Sequence, residues 1–265
     1  MNNRITALLL LSALTLVVSG CQQGAVRPDV DMEDSTGQMG QESAVGVGDV
    51  YVKLAVGYMR EGRLGVALKK ARRALQVEPG NVEGHNIIAL LYDRLNEPGL
   101  AERHFKRGLK LQPRHPYMLN AYGTFLCRNG RYEEADMQFQ QALKNPLYTT
   151  PEVAFTNAGI CAGRKPDPVQ AERYLRQALE RNPRLPTALI QMARVSYNNG
   201  EYLSSRAYLQ RYLESARHTA ASLWLGIQAE RKLGDRNAVS SYSLLLRNNF
   251  PDSQEVLLLK ESNKK

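Results

Sequence analysis

The sequence is short of the residues that most often carry chemistry. Its four histidines (His85, His104, His115 and His218) are scattered, without the ligand spacing that a metal site needs. There is no phosphate-cradling glycine loop, no metalloprotease helix motif and no nucleophile elbow. The acidic pairs Glu133/Glu134 and Asp31/Glu33 fall on an expected solvated helix and in a polar N-terminal stretch. These absences argue against an enzyme and imply no metal, no cofactor and no small-molecule substrate. Long apolar runs are equally scarce. One stands out, Ile5 to Val18, interrupted by Thr6, Ser12 and Thr15. It is shorter than the ~20 residues of a transmembrane helix. Cysteine is sparse too, with Cys21, Cys127 and Cys161 the full set.

What is present begins at the N-terminus. Arg4 precedes the apolar run, and Ser19-Gly20 follow it just before Cys21. A basic start, a short apolar stretch and small residues at a cleavage site predict a secretory signal peptide over residues 1–20. Val18-Ser19-Gly20-Cys21 resembles the bacterial lipobox, whose cysteine is lipidated and becomes the mature N-terminus. In lipoproteins an Asp after that cysteine favours the inner membrane. Gln22 stands there, so the resemblance implies lipid anchoring on the periplasmic face of the outer membrane. Without residues 1–20, 34 Lys and Arg oppose 26 Asp and Glu. Export turns that basic balance away from nucleic acid and towards acidic protein tails, anionic lipid or lipopolysaccharide. Cys127 and Cys161 are then an even pair in an oxidising compartment, a candidate disulfide, with free buried thiols as the alternative.

Cys21 and residues 22 to about 47 carry five acidic groups (Asp29, Asp31, Glu33, Asp34 and Glu42), one Arg27, no aromatic residue and no periodicity. Such a segment buries too little apolar area to offset its ordering entropy, so 21–47 is expected to be a lipidated, flexible tether. Residues 48–265 are correspondingly more basic, with 33 Lys and Arg against 21 Asp and Glu. From Asp49 a period appears. Ala67, Ala101 and Ala135 are spaced by 34, followed by Ala171, Ser205 and Ala238 at 36, 34 and 33. Ala74, Ala142 and Ala178 recur seven residues on, and Pro79, Pro113 and Pro183 twelve on. Small residues seven apart let helices approach closely, and proline ends the second helix.

This pattern resembles the tetratricopeptide repeat, a helix–turn–helix unit of ~34 residues. Gly123, Gly159 and Gly226 match the family's first-helix glycine; Gly62, Gly130 and Gly200 mark the turn. Tyr58, Tyr92, Phe105, Phe139 and Tyr242 fall where the family packs large side chains. Six repeats are expected, at about 48–81, 82–115, 116–149, 152–185, 186–219 and 219–252, with a closing helix. The resemblance implies an all-α superhelical solenoid with a concave groove. The fifth repeat departs from the pattern at Ser205 and Tyr212, and the sixth lacks most markers.

A second resemblance is narrower. Asn120-Ala-Tyr-Gly-Thr-Phe-Leu-Cys127, Asn145-Pro-Leu-Tyr148, Pro151-Glu152 and Asn157-Ala-Gly-Ile-Cys161, on this architecture, look like the type IV pilus biogenesis and stability lipoproteins. Members of that family act as pilotins, helping the pilus secretin reach the outer membrane and assemble into its ring. The resemblance therefore implies a secretin partner bound by protein–protein contact. Other adaptors on the same scaffold stay open: a tether for cell-wall hydrolases, or an accessory of outer-membrane barrel assembly.

In the repeat family, positions 2, 5, 9, 12 and 13 face the groove. Position 13 reads Arg60, Arg94, Arg128, Arg164, Asn198 and Arg231. Position 5 reads Val52, Asn86, Asn120, Thr156, Ile190 and Leu223, and position 9 reads Val56, Leu90, Thr124, Ile160, Arg194 and Ile227. The partner is expected on repeats one to three, on an apolar strip (Val52, Val56, Met59) continued by Asn86, Asn120 and the arginine ladder. Guanidinium groups suit carboxylates through paired hydrogen bonds. The ladder also lies at helix C-termini, where a cation gains ~0.3–1 kcal/mol without any ligand. Both readings can hold together.

Overall fold

A computed structural model describes residues 46–165 and 167–262. The expected signal peptide, Cys21 and the tether up to residue 45 lie outside the described residues. Thirteen helices follow one another, with no strand among the described residues. They pair as α1 (Val47–Arg60) with α2 (Leu64–Val77), α3 (Val82–Arg94) with α4 (Pro98–Leu111), and α5 (Pro116–Arg128) with α6 (Tyr132–Leu143). Then come α7 (Pro151–Arg164) with α8 (Pro168–Arg181), α9 (Pro186–Asn198) with α10 (Tyr202–Leu213), and α11 (Ala220–Leu233) with α12 (Arg236–Asn249). The last helix, α13 (Gln254–Ser262), packs on α11 and α12. This is the expected all-α tetratricopeptide-repeat solenoid, with six helix pairs and a closing helix.

The local rules are simple. Five helices (α4, α5, α7, α8 and α9) begin with proline, whose missing N–H costs nothing in a first turn. Pro79, Pro113 and Pro183 lie two residues beyond the ends of α2, α4 and α8. The alanines of the period are the points of closest helix approach: Ala67, Ala101, Ala135 and Ala171 are fully buried. Across from them a Cβ on Gly123 would sit 2.8 Å from the Phe139 ring and 3.1 Å from the Ala135 carbonyl, so only glycine fits. The fifth repeat keeps a small residue, Ser205, and seats its bulky Tyr212 by donating the phenol to the Arg217 carbonyl at 3.0 Å.

Among the described residues of the fourth repeat's turn there is no left-handed residue; in the other five repeats the turn between the two helices carries one. Gly62, Gly130 and Gly200 supply it (φ 75°, 77° and 81°), and Asn96 does so in the second repeat with φ 60°. Gly234 has φ 78° and plays the same part in the sixth. With Thr219 capping α11 and α12 starting at Arg236, this repeat runs one residue later than expected, over 220–253. Ala238 is therefore not the sixth small-residue marker. Val239 takes its place, and its N–H reaches the Asp235 carbonyl as that of Ala67 reaches Arg63. Positions 5, 9 and 13 become Trp224, Gln228 and Lys232, which explains why Leu223 and Ile227 are fully buried.

One apolar core runs from α1 to α10, and a separate one joins α11, α12 and α13 through Leu223, Ile227, Leu246, Val256 and Leu259. A third, small cluster of Ala193, Leu209 and Leu225 joins α9, α10 and α11. Polar contacts also tie neighbouring repeats. Arg131 donates to Glu102 at 2.7 Å and, through Nε, to Glu134 at 2.7 Å, while Tyr122 donates to Glu102 at 2.9 Å. Burial pushes the Glu102 carboxyl up, but hydrogen bonds from Arg131, Lys106 and Tyr122 outweigh it and bring it down to about 2.

Candidate functional site: the concave face

The first helices of the repeats line the concave side, and in repeats one to four several of their polar side chains hold one another. Asn81 caps α3 through its carbonyl oxygen, 2.7 Å from the Gly84 N–H, while its amide donates to Asp49 at 2.8 Å. His115 caps α5, Nδ1 accepting from Met118 N–H at 3.2 Å, so Nε2 carries the proton and donates to Glu83 at 3.0 Å. That hydrogen bond holds the Glu83 carboxyl below the usual range. Asn157 donates to the side-chain oxygen of Asn120 at 3.0 Å.

The expected groove residues divide into two sets. Val52 is 8% exposed and Asn86 6%, so both belong to the core and not to an open wall. Val56, Met59 and Leu90 are half-buried against that same core. The reason is geometric: α1 packs on α3 as well as on α2, so positions 5 and 9 fall between neighbouring helices. Asn86 reaches Glu83 at 3.4 Å, and among the described residues its buried side-chain oxygen has no partner. Asn120 is half-buried and occupied by Asn157.

The ladder is exposed but partly engaged. Arg94 donates to the Met59 carbonyl at 3.2 Å, which places its charge at the C-terminal end of α1, and Arg128 pairs with Asp93. Burial and the neighbouring Arg164 both lower the Arg128 guanidinium's proton affinity. Arg60 and Arg164 are exposed and have no hydrogen-bond or ion-pair partner among the described residues.

Cys127 and Cys161 lie on α5 and α7, with Cα atoms 5.7 Å apart and sulfurs in contact. That spacing is what a disulfide requires. Among the described residues no group of three or more His, Cys, Asp or Glu could hold a metal ion, and no helix is long and apolar enough to cross a membrane.

The far end of the concave face is different. A cleft of about 290 Å³ opens between α9, α11 and α13, lined by Arg194, Tyr197, Asn198, Ala221, Trp224, Leu225, Gln228, Glu255 and Leu258. Reading the residues alone missed it for two reasons. The one-residue shift of the sixth repeat hides Trp224 and Gln228, and α13 lies outside the repeat pattern. Gly234 and the Thr219–Ser222 capping box are the signals that carry the true register.

Paired antiparallel helices, left-handed turns and a concave inner face define a tetratricopeptide-repeat protein, and residues 88–148 match the tetratricopeptide repeat family. A curated relative, the type IV pilus assembly protein PilF of Pseudomonas aeruginosa (strain PAO1), is 31% identical over 207 residues, covering 78% of this chain and 82% of the relative. Two solved structures are similar over their whole length. One, from a functional characterisation of Pseudomonas aeruginosa pilF, has a TM-score of 0.73 at 30% identity, covering 81% of this chain and 97% of that one. The other, PilW, described as a widely conserved type IV pilus biogenesis factor, has a TM-score of 0.76 at 31% identity, covering 82% and 99%. The chain belongs to this family of type IV pilus biogenesis proteins with tetratricopeptide repeats.

Proposed function

We propose that the chain is a pilotin, an outer-membrane lipoprotein that binds the pilus secretin and promotes its delivery to the outer membrane and its multimerisation. Cys21 is the lipid site in this reading, residues 1–20 are removed, and residues up to about 47 tether the solenoid on the periplasmic face. Several acyl chains at ~0.8 kcal/mol per buried methylene anchor such a protein firmly. The observation that carries the proposal is 31% identity to a type IV pilus assembly protein across 78% of the chain. The lipobox-like Val18–Cys21 supports it, as does a basic body suited to acidic protein segments. The reading assigns no catalytic residue. The solenoid works by presenting surface, and the exported compartment lets Cys127 and Cys161 form a disulfide that locks repeat three to repeat four.

Deleting the gene is expected to abolish surface pili and to leave the secretin as monomer on denaturing gels, with both restored by the wild type and neither by Cys21→Ala. Normal secretin multimers in the deletion strain would overturn the proposal. Radioactive palmitate is expected to label the wild type in the outer-membrane fraction and not Cys21→Ala; recovery of the wild type in the inner membrane or cytosol would overturn the localisation.

A further inference from the structure

The cleft between α9, α11 and α13 combines an apolar floor with polar groups that nothing in the fold uses. Leu225 is 5% exposed at its base, Trp224 and Tyr197 are half-buried, and Leu258 of α13 forms a wall at 37% exposure. Around them stand Arg194, Asn198, Gln228 and Glu255. None of these four side chains has a hydrogen-bond or ion-pair partner among the described residues. Buried and half-buried polar groups elsewhere on the concave face are mostly paired, as folding energetics demand. Here exposed Arg194 and Asn198 and half-buried Gln228 and Glu255 surround an apolar patch, with donors on the first three and acceptors on the last three.

Size and charge narrow the occupant. About 290 Å³ holds the volume of roughly ten waters, enough for one large side chain and the backbone beside it. Cations outnumber the one lining carboxylate, Glu255: Arg194 lines the cleft, the Arg231 guanidinium lies 5.8 Å from the centre of the Trp224 ring, and Lys232 follows it on α11. We infer that the cleft binds an extended protein segment in which a large apolar side chain is flanked by Asp or Glu. The side chain seats on Trp224, Leu225 and Leu258. Arg194 takes the carboxylate, and the Asn198 and Gln228 amides pair with the backbone, whose N–H groups Glu255 accepts. The inference rests on the reading of the chain as a protein-binding scaffold and specifies the chemistry of its partner.

Trp224 is the only tryptophan of the chain, so its emission reports on this cleft alone. The probe is acetyl-Gly-Asp-Phe-Asp-Gly-amide, titrated into the full mature protein in detergent micelles. The Trp224 emission is expected to change saturably. It should respond far less to the same peptide with Lys for Asp, or with Gly for Phe. Arg194→Glu should raise the Kd about tenfold or more, since it replaces a charge-assisted contact by repulsion. Leu258→Asp should weaken the Phe peptide as well. Both residues are exposed, so circular dichroism is expected to stay helical; Arg194→Gln replaces Arg194→Glu if it does not.

No saturable change, an equal response to the Lys peptide, or an unchanged Kd in folded Arg194→Glu would each overturn the inference. So would an emission change with protein concentration alone, which would make a second copy of the chain the occupant. Capture of secretin without a peptide response sinks the cleft and leaves the pilotin reading. A peptide response without secretin capture does the reverse.

Discussion

Repeats one to four and the end built from repeats five, six and α13 share one repeat design but differ in how many of their concave polar groups are paired. Even in the first region Arg60 and Arg164 stay without a partner among the described residues. In the first region Glu83, Asn86 and His115 hold one another, as do Asn120 with Asn157 and Arg128 with Asp93. Apart from Asn86–Glu83, which lies within α3, these contacts run between neighbouring repeats and fix how each helix sits on the next. In the second region Arg194, Asn198, Gln228 and Glu255 are left over around an apolar floor. The apolar core is divided within the second region, between repeat five and repeat six. A solenoid's stability is a sum of repeat and interface terms, so one end can be consolidated while the other keeps a surface for binding.

The largest effect is expected from Phe139→Ala in the consolidated region. Phe139 is fully buried against Gly123, and its loss should cost ~3–5 kcal/mol through transfer and cavity terms. Urea unfolding followed by circular dichroism measures it; a cost under ~1 kcal/mol would mean that the central repeats repack freely. Next comes the bridge between repeats three and four. If Cys127 and Cys161 are oxidised, replacing both by Ser should cost ~3–4 kcal/mol on the chain-entropy model for a 34-residue separation, and less if the unfolded chain stays compact. Thiol-specific mass tagging of denatured, unreduced protein decides the premise: any tag on Cys127 or Cys161 means no bridge.

A change of about 3 kcal/mol is expected at the junction between the two apolar cores. Arg206 of α10 donates through Nε to Glu230 of α11 at 2.8 Å, and Glu230 is 2% exposed. Arg206→Ala leaves that carboxylate buried and unpaired. Repeat six with α13 should then unfold before the rest, seen as an early loss of Trp224 emission. A single transition shared with the whole chain would contradict the divided core.

Acid should act on the first region in a smaller, graded way. Burial, then the neighbouring His85 with Nδ1 at 3.1 Å, lowers His104 from 6.5 to about 4. The unfolded chain therefore takes its proton first, so stability is full above about pH 6.5 and falls as pH drops towards 4. His104→Gln should flatten the dependence of Tm on pH across that window; an unchanged slope would assign it to other groups.

Much of the fold was legible because its constraints are local and recur. Ala67, Ala101, Ala135 and Ala171 must be small for helices to touch, and Gly62, Gly130 and Gly200 must adopt a left-handed turn, so both leave fixed spacings. The site was less legible, because exposure depends on how neighbouring repeats pack. Val52 and Asn86 hold groove positions in the repeat family, yet contact between first helices buries them here. Trp224 lay hidden behind a register error that Ala238 invited, since a small residue there matches the period by coincidence. Leu258 and Glu255 belong to a helix with no repeat partner, and only three-dimensional packing brings them to the cleft.

The comparison between the two regions can be decided in cells. A deletion strain would be complemented with the wild type, with Arg194→Glu plus Leu258→Asp, or with Arg94→Glu plus Arg128→Glu, and scored for secretin multimers at matched protein levels. The C-terminal pair is expected to give the larger loss of multimers, with the full chain still folded and membrane-bound. A larger loss from the Arg94/Arg128 pair, with near-normal multimers from the cleft pair, would contradict this and move the partner's site to the first repeats.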